Sequence, residues 1–165
     1  MDGLEKLSIV IPTYGRHDFV RRQIGYWSNS PVTVHIMDGS PDPIESEFLV
    51  NLPPNIKSRH SNDDFFARMC AAAEVIDTPY VAMLGDDDLF VKSGLKRCIE
   101  HLDDKAEVFG VVGRSMYFFH QRDVVFGEPK HPEATNYERD IRGGIARLYN
   151  LYHPGKIGAI AYGVF

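Results

Sequence analysis

The sequence predicts an α/β fold, in which a mostly parallel sheet is flanked by helices and followed by a C-terminal antiparallel extension. As far as Val112, short apolar runs that are typical of buried strands alternate with segments in which apolar residues recur at helical spacing. Turns rich in Pro, Gly, Asn and Asp separate these runs. The alternation ends at Gly113, after which two apolar runs joined by a short polar segment indicate an antiparallel hairpin.

The predicted strands are short apolar runs with a clear stop at one or both ends. Pro12 ends the first run, the turn Asp38-Gly39-Ser40-Pro41 ends the second, and Pro53-Pro54 precedes the third. Pro79 and Gly85 bound the fourth run. The predicted strands are residues 7–11, 32–37, 56–61, 80–84 and 108–112.

Helices are predicted between the strands, over residues 18–29, 44–50, 62–76 and 92–102. Asp18 is the expected N-cap of the first helix, and Asn62-Asp63 that of the third. The expected inner face of the first helix consists of Phe19, Val20, Gln23, Ile24 and Trp27. That of the third helix consists of Phe66, Met69, Cys70 and Ala73.

Beyond Gly113, residues 115–119 and 124–126 are expected to form the hairpin. Residues 127–136 predict a loop, residues 137–151 a helix, and residues 157–165 a further strand. Because the sequence stops inside an apolar, strand-like segment, we expect a single domain over residues 1–165 that is truncated at its C-terminus. An exposed apolar edge favours association, so a homodimer is one expected outcome.

Composition excludes several classes of protein. A chain of 165 residues with 44% hydrophobic and 25% charged residues is typical of one globular domain. The net charge of −5 disfavours a nucleic-acid partner. The sequence has neither an apolar run of about 20 residues nor a signal-peptide pattern, so we expect no membrane span and a cytoplasmic location. Cys70 and Cys98 are expected to be reduced, buried residues.

Polar loops follow four of the predicted strands. They are residues 13–16, 38–40, 62–64 and 86–88. In a parallel sheet the carboxyl ends of the strands lie at one edge, and ligands bind in the crevice beyond them. We therefore expect these loops to form one site.

The acidic run Asp86-Asp87-Asp88 directly follows the fourth predicted strand. Three adjacent carboxylates repel one another, which favours a cation beside them, and hard oxygen ligands suit magnesium, manganese or calcium. Asp86 and Asp88 are the candidate metal ligands, since alternate residues at a strand end can point the same way. The alternative is an acidic surface turn that caps the next helix.

Three stretches resemble motifs of the family 2 glycosyltransferases, which have the GT-A fold. They are LSIVIPTYGR at residues 7–16, MDGSPD at residues 37–42 and DTPYVAMLGDDD at residues 77–88. The last resembles the strand leading to that family's DxD motif. All three occur in the family's order, each at the end of a predicted strand.

The resemblance implies a GT-A-like, Rossmann-like fold, with residues 1–114 as the nucleotide-binding part and residues 115–165 as the start of the acceptor part. It implies inverting sugar transfer from a nucleotide-sugar donor, a UDP-sugar, to a saccharide or lipid-linked acceptor of the cell envelope. Mn²⁺ or Mg²⁺ is the implied cofactor. The implied pathway is polysaccharide assembly, in the cytoplasm or at the inner face of the membrane.

The resemblance also implies contacts to the nucleoside. Pro12, Thr13 and Tyr14 are expected along it. Asp38, in a turn with Gly39, is expected to accept a hydrogen bond from the imide N–H of uracil. A plain Asx turn at Asp38 is the alternative, and both roles can coexist.

Further residues are expected near the diphosphate. By the family pattern Asp88 binds the metal directly, Asp86 reaches the ribose or a metal-bound water, and Asp87 either joins the nucleotide-sugar contacts or faces solvent. Arg16 and Arg68 are candidate phosphate or base partners, because guanidinium groups suit anionic oxygens. For Arg68 the alternative is a solvated arginine on a helix.

No catalytic base is assigned. The family uses a carboxylate in the second half of its domain, and the late candidates here are Glu138, Asp140 and His153, each of which also fits a surface position. Two other classes stay open. One is a nucleotidyltransferase, although residues 12–16 are poor in the glycine that a triphosphate loop requires. The other is a catalytically incomplete module that binds nucleotide or a partner.

Overall fold

The protein is an α/β structure built on a four-stranded, all-parallel sheet. This computed structural model describes residues 3–121, 124–130 and 163–165. The strands are β1 (Leu7–Thr13), β2 (Thr33–Asp38), β3 (Ile56–His60) and β4 (Tyr80–Met83), in the spatial order β3-β2-β1-β4. The predicted parallel sheet is confirmed, and the chain reverses its strand order beside β1.

Helices cover both faces of this sheet. They are α1 (His17–Trp27), α2 (Ser46–Val50), α3 (Phe65–Ala73) and α4 (Lys92–Asp104), after a short 3₁₀ helix at Leu4–Lys6. Side chains alternate between the two faces of a strand. Apolar residues of α1 and α4 pack with Ile9 and Ile11 on one face, whereas Ala72 of α3 packs with Val10 on the other.

The first strand runs through Pro12 to Thr13, whereas Pro12 was predicted to end it. Successive residues of a strand direct their backbone hydrogen bonds alternately to the two neighbouring strands. The Val10 carbonyl accepts from the Leu84 N–H on the β4 side at 2.9 Å, and the Thr13 carbonyl accepts from the Gly39 N–H on the β2 side at 3.0 Å. The nitrogen of Pro12 therefore faces the β4 side, beyond the last β1–β4 register pair. Its missing N–H removes no bond from the ladder.

Both predicted helix caps were misplaced. Helix α1 begins at His17, and Asp18 lies in its first turn rather than at the cap. Helix α3 is capped by Asp64, whose carboxylate accepts from the Ala67 N–H at 2.8 Å. The N-cap of α1 is Arg16, two residues before the predicted one, and that of α3 is one residue after Asn62-Asp63. Sequence patterns rarely resolve offsets of this size.

The inner face of α3 differs from the predicted one. Phe66 is 76% exposed and Cys70 is also exposed, whereas Arg68 and Ala72 are buried. A buried arginine is tolerated there because its guanidinium binds backbone carbonyls, as described below. The inner face of α1 is confirmed except at Phe19, which is exposed at the helix start.

Val108–Val112 was wrongly predicted as a strand. Within the described residues only an isolated bridge forms there, between Val111 and Val164. Val164 also bridges Ala82 of β4 in the antiparallel direction. The chain near Val164 therefore lies between β4 and Val111, at the edge of the parallel sheet. The bridge is too short to count as a strand.

The predicted antiparallel extension is confirmed as a two-stranded sheet, β5 (Ser115–Gln121) paired with β6 (Val124–Lys130). Strand β6 reaches Lys130, so residues 127–130 are strand and not the predicted loop, and residues 131–136 lie outside the described residues. The predicted helix over residues 137–151, most of the strand over residues 157–165, and the late candidate bases lie outside the described residues. No helix in the described part of the chain is both long and apolar enough to cross a membrane.

Candidate functional site

The carboxyl ends of the parallel strands form one polar edge. Thr13, Asp38 and His60 close β1, β2 and β3, and they are direct register partners across the sheet. The acidic turn that follows β4 reaches the same edge, since the Thr13 hydroxyl donates to the Asp86 carboxylate at 2.7 Å. The sequence-based expectation that these loops converge holds for the loops after β1, β2 and β4.

Asp86 is the buried member of the acidic run, at 2% exposure. Its Oδ2 accepts from Thr13 Oγ1 and from Arg16 Nε, the latter at 3.1 Å, and its Oδ1 accepts from Arg16 Nη2. The hydrogen bond to Asp86 raises the pKa of the Arg16 guanidinium. Both carboxylate oxygens of Asp86 are thus already engaged by the chain itself.

Asp87 and Asp88 face solvent instead. Arg16 also approaches Asp87, with 3.2 Å between Nη2 and Oδ1, so one exposed guanidinium serves two carboxylates. The turn places Asp86 inside and Asp88 outside, rather than side by side as in an extended strand. Among the described residues, no group of three or more His, Cys, Asp or Glu side chains is arranged to hold a metal ion.

Gln23 holds the acidic turn in place, a role that the sequence reading missed. It is fully buried in α1, and its Nε2 donates to the carbonyls of Asp86 and Asp88 at 2.9 and 2.6 Å. Its Oε1 accepts from the indole N–H of Trp27 at 3.1 Å. The available signal was an amide in the middle of an otherwise apolar helix face.

Asp38 forms the predicted Asx turn. Its Oδ1 accepts from the Ser40 N–H at 2.9 Å and from the Ser40 hydroxyl. Ser40 Oγ also accepts from the N–H of Gly15, whose φ of 65° is the left-handed conformation that glycine favours. The turns after β1 and β2 are therefore tied together. Asp38 is 2% exposed, and its Oδ2 has no hydrogen-bond partner among the described residues.

Arg68 is buried at this edge, and its alternative assignment as a solvated helix residue was wrong. Its Nη1 donates to the carbonyls of Thr13 and Met37 at 3.1 and 2.6 Å, which links the ends of β1 and β2. Its Nε is buried without a hydrogen-bond partner in the described part of the chain. A Cβ on Gly39 would lie 2.4 Å from the Arg68 Cζ, so only glycine fits beneath this guanidinium.

The remaining candidates border this cluster. Tyr14 is 64% exposed at the rim, and Pro12 is half-buried within β1. His17 was not selected from the sequence, yet its Nε2 lies 3.5 Å from Asp38 Oδ2. In the loop after β3, Asp64 caps α3 rather than joining the cluster. The edge thus has a buried part around Asp38 and a charged part at the acidic turn.

Comparison with known proteins assigns no family. No protein-family model matches the chain, and no curated protein matches it either. Inference of a function depends on the residues and geometry of this edge.

Proposed function

We propose that the chain is the nucleotide-binding part of a metal-dependent glycosyltransferase with a GT-A-like fold, which takes its sugar from a UDP-sugar. The observation that carries this proposal is the presence of two unlike clusters on one sheet edge. One is the buried polar cluster around Asp38 and Arg68, and the other is the charged turn at Asp86 with Arg16. A nucleoside diphosphate has a neutral, polar base at one end and a charged diphosphate towards the other. The base suits the buried polar cluster, and the diphosphate suits the charged turn.

The buried cluster suits a base with an imide edge. Uracil presents an N–H between two carbonyl oxygens. Asp38 Oδ2 is an acceptor and Arg68 Nε a donor, and neither has a partner among the described residues. The carboxylate would accept the imide N–H, while the guanidinium would donate to an adjacent carbonyl. Cytosine carries no hydrogen on N3, so this arrangement selects uracil. The Asx turn uses the other oxygen of Asp38, so the two roles coexist.

The rim residues suit the rest of the nucleoside. The exposed ring of Tyr14 offers a flat surface against which a base can stack, and Pro12 and Thr13 precede it along the same strand end. Pro12 and Thr13 lie directly beside β2, which ends at Asp38.

The charged turn suits the diphosphate and a divalent cation. Asp88 is exposed and supplies hard oxygen donors, so it is the residue that would hold Mn²⁺ or Mg²⁺. Asp86 is buried and its oxygens already accept from Thr13 and Arg16, so it would exchange one of these bonds to meet the ribose or a metal-bound water. When bound, the cation neutralises the charge that develops on the departing diphosphate. The exposed side of Arg16 can approach the same phosphates.

The transfer itself needs a base, and we assign that role to none of the described residues. We assign the acceptor as a saccharide or a lipid-linked sugar, on the strength of the motif resemblance alone. The residues at this edge would bind and orient the donor. Gln23 and Arg16 hold the acidic turn in place by donating hydrogen bonds to Asp86.

Calorimetric titration of the chain and its Asp38→Asn variant with UDP and CDP tests the base assignment. In the variant, the amide oxygen can keep the bonds to Ser40 and present an NH₂ group where Oδ2 stood. We expect UDP affinity to fall by about 1–3 kcal/mol, the scale of a hydrogen bond to a charged group, and CDP to lose less. Asp42→Asn, an exposed neighbour, is the matched control and should bind both as the parent does. Equal losses for both nucleotides would leave Asp38 as a turn former only.

The same titrations with and without Mn²⁺ test the cation and the reaction class. Asp88→Asn should remove the Mn²⁺-dependent part of UDP affinity and leave the metal-free part, whereas Asp63→Asn, also exposed, should change neither. Unchanged Mn²⁺ dependence in Asp88→Asn would contradict the cation assignment. A clear preference for UTP over UDP would instead favour a nucleotidyltransferase, and no binding of any nucleotide a non-catalytic module.

A further inference from the structure

Three buried polar atoms that have no hydrogen-bond partner within residues 3–121, 124–130 and 163–165 surround the turn after β2. Four such atoms occur among the described residues, and three of them belong to His17, Asp38 and Arg68. A buried donor or acceptor without a partner loses the hydrogen bonds that water would supply, so native structures rarely keep several together. Their concentration at one strand end marks a place where a ligand completes the hydrogen bonding.

His17 Nε2 and Asp38 Oδ2 shield one another from water beside the turn after β2. The imidazole Nε2 lies 3.5 Å from Asp38 Oδ2, too far for a good hydrogen bond, and water reaches neither atom. The Asp38 carboxylate is fixed by Ser40 and is 2% exposed. His17 is the first residue of α1, and its side chain is 23% exposed. Of the two groups, the imidazole is the one that can move away.

We propose that His17 is an affinity-determining cover of the nucleotide site, whose imidazole lies over Asp38 Oδ2 and must move aside before a base N–H can reach it. The proposal rests on the proposed function, since it takes Asp38 as the base-reading carboxylate. A site that is open for only a fraction of the time binds its ligand more weakly by that fraction. Removing the cover should therefore strengthen binding, whereas removing a supporting residue would weaken it.

Two substitutions of His17 separate these roles. His17→Ala removes the ring and leaves Oδ2 open to water and ligand, so UDP affinity should rise about three- to tenfold. His17→Phe keeps a ring of similar outline but cannot donate to a carboxylate, so it still covers Oδ2 and should bind UDP no better than the parent chain. His101→Ala, a half-buried histidine on α4, is the matched control and should bind UDP as the parent does.

A measurement on the unsubstituted chain guards against a variant that folds poorly. Nitrogen-15 signals of the imidazoles are recorded during a UDP titration, with thermal unfolding as the check on each variant. The His17 signals should shift as UDP binds, while those of His101 stay. Two results would contradict the proposed role of His17 but not the proposed function. One is a UDP affinity of His17→Ala that is equal to or below that of the parent, and the other is His17 signals that do not move when UDP binds. Failure of the parent and of every variant to bind UDP would overturn the proposed function, and the cover with it.

Discussion

His35 is a buried imidazole whose charge state couples the stability of this fold to pH. It lies on β2 at 3% exposure, and its Nε2 has no hydrogen-bond partner in the described part of the chain. Burial lowers the pKa of His35 below its ordinary value, with a smaller contribution from Lys57, its register partner on β3. Asp77 acts in the opposite direction without reversing the shift. The folded chain therefore prefers the neutral imidazole.

We predict that this chain loses stability as the pH falls below the ordinary histidine value of 6.5. The unfolded chain takes up the proton there and the folded chain does not, so the contribution is complete above that pH and declines towards the lower folded pKa. One proton gives a slope of at most about 1.4 kcal/mol per pH unit. Urea unfolding between about pH 7.5 and pH 5 should show this decline, and His35→Leu should reduce it. The same pH dependence in both chains would contradict the assignment.

Residues at strand ends were predictable, whereas polar residues that work from inside helices were not. Asp38 and Asp86 follow apolar runs, and the parallel topology alone brings them to one edge. Gln23 and Arg68 are buried on helix faces because their side chains bind backbone groups of distant loops. A single sequence does not encode such partners locally. Gln23 was therefore placed on the inner face of its helix without a role, and Arg68 was given a solvated position as its alternative.

Helix α3 and the turn after β2 are packed together through Arg68 and Gly39. The guanidinium of Arg68 lies directly over Gly39, while its Nη1 binds the ends of β1 and β2. This contact explains why residue 39 is glycine, although Gly39 does not have a positive φ. Only the space beneath the guanidinium requires the missing Cβ.

Gly39→Ala should therefore destabilise the chain and weaken nucleotide binding together. The new methyl group would lie 2.4 Å from Arg68 Cζ, and a displaced guanidinium loses its carbonyl bonds, so we expect a loss of about 1–3 kcal/mol in unfolding free energy. Gly25→Ala is the matched control, because no atom of the described residues lies within 4 Å of a Cβ there. In a helix that change should stabilise by roughly 0.5–1 kcal/mol. Comparable stability of the two variants in urea unfolding would contradict the contact.

Val164 belongs to the same hydrophobic core as β1 and the helices α1 and α4. It is 1% exposed, and it exchanges two backbone hydrogen bonds with Val111, each of 2.9 Å. Its neighbour Phe165 exchanges bonds with Val81 of β4. Alternation of strands and helices predicted the parallel sheet, but this pairing joins segments far apart in sequence. Local sequence patterns do not show which distant segments pair with each other. Val108–Val112 was therefore predicted as a full strand, although only an isolated bridge forms at Val111.

Because Val164 is buried in the core, shortening its side chain should destabilise the chain. Val164→Ala removes two buried methyl groups, so unfolding free energy should fall by about 2 kcal/mol. Val50→Ala makes the same chemical change at 82% exposure and should stay within about 0.5 kcal/mol of the parent. Because Val164 bridges Ala82, amide exchange in β4 should accelerate in the first variant and not in the second. Equal stability of the two variants would mean that the segment at Val164 packs on a sheet that is already complete without it.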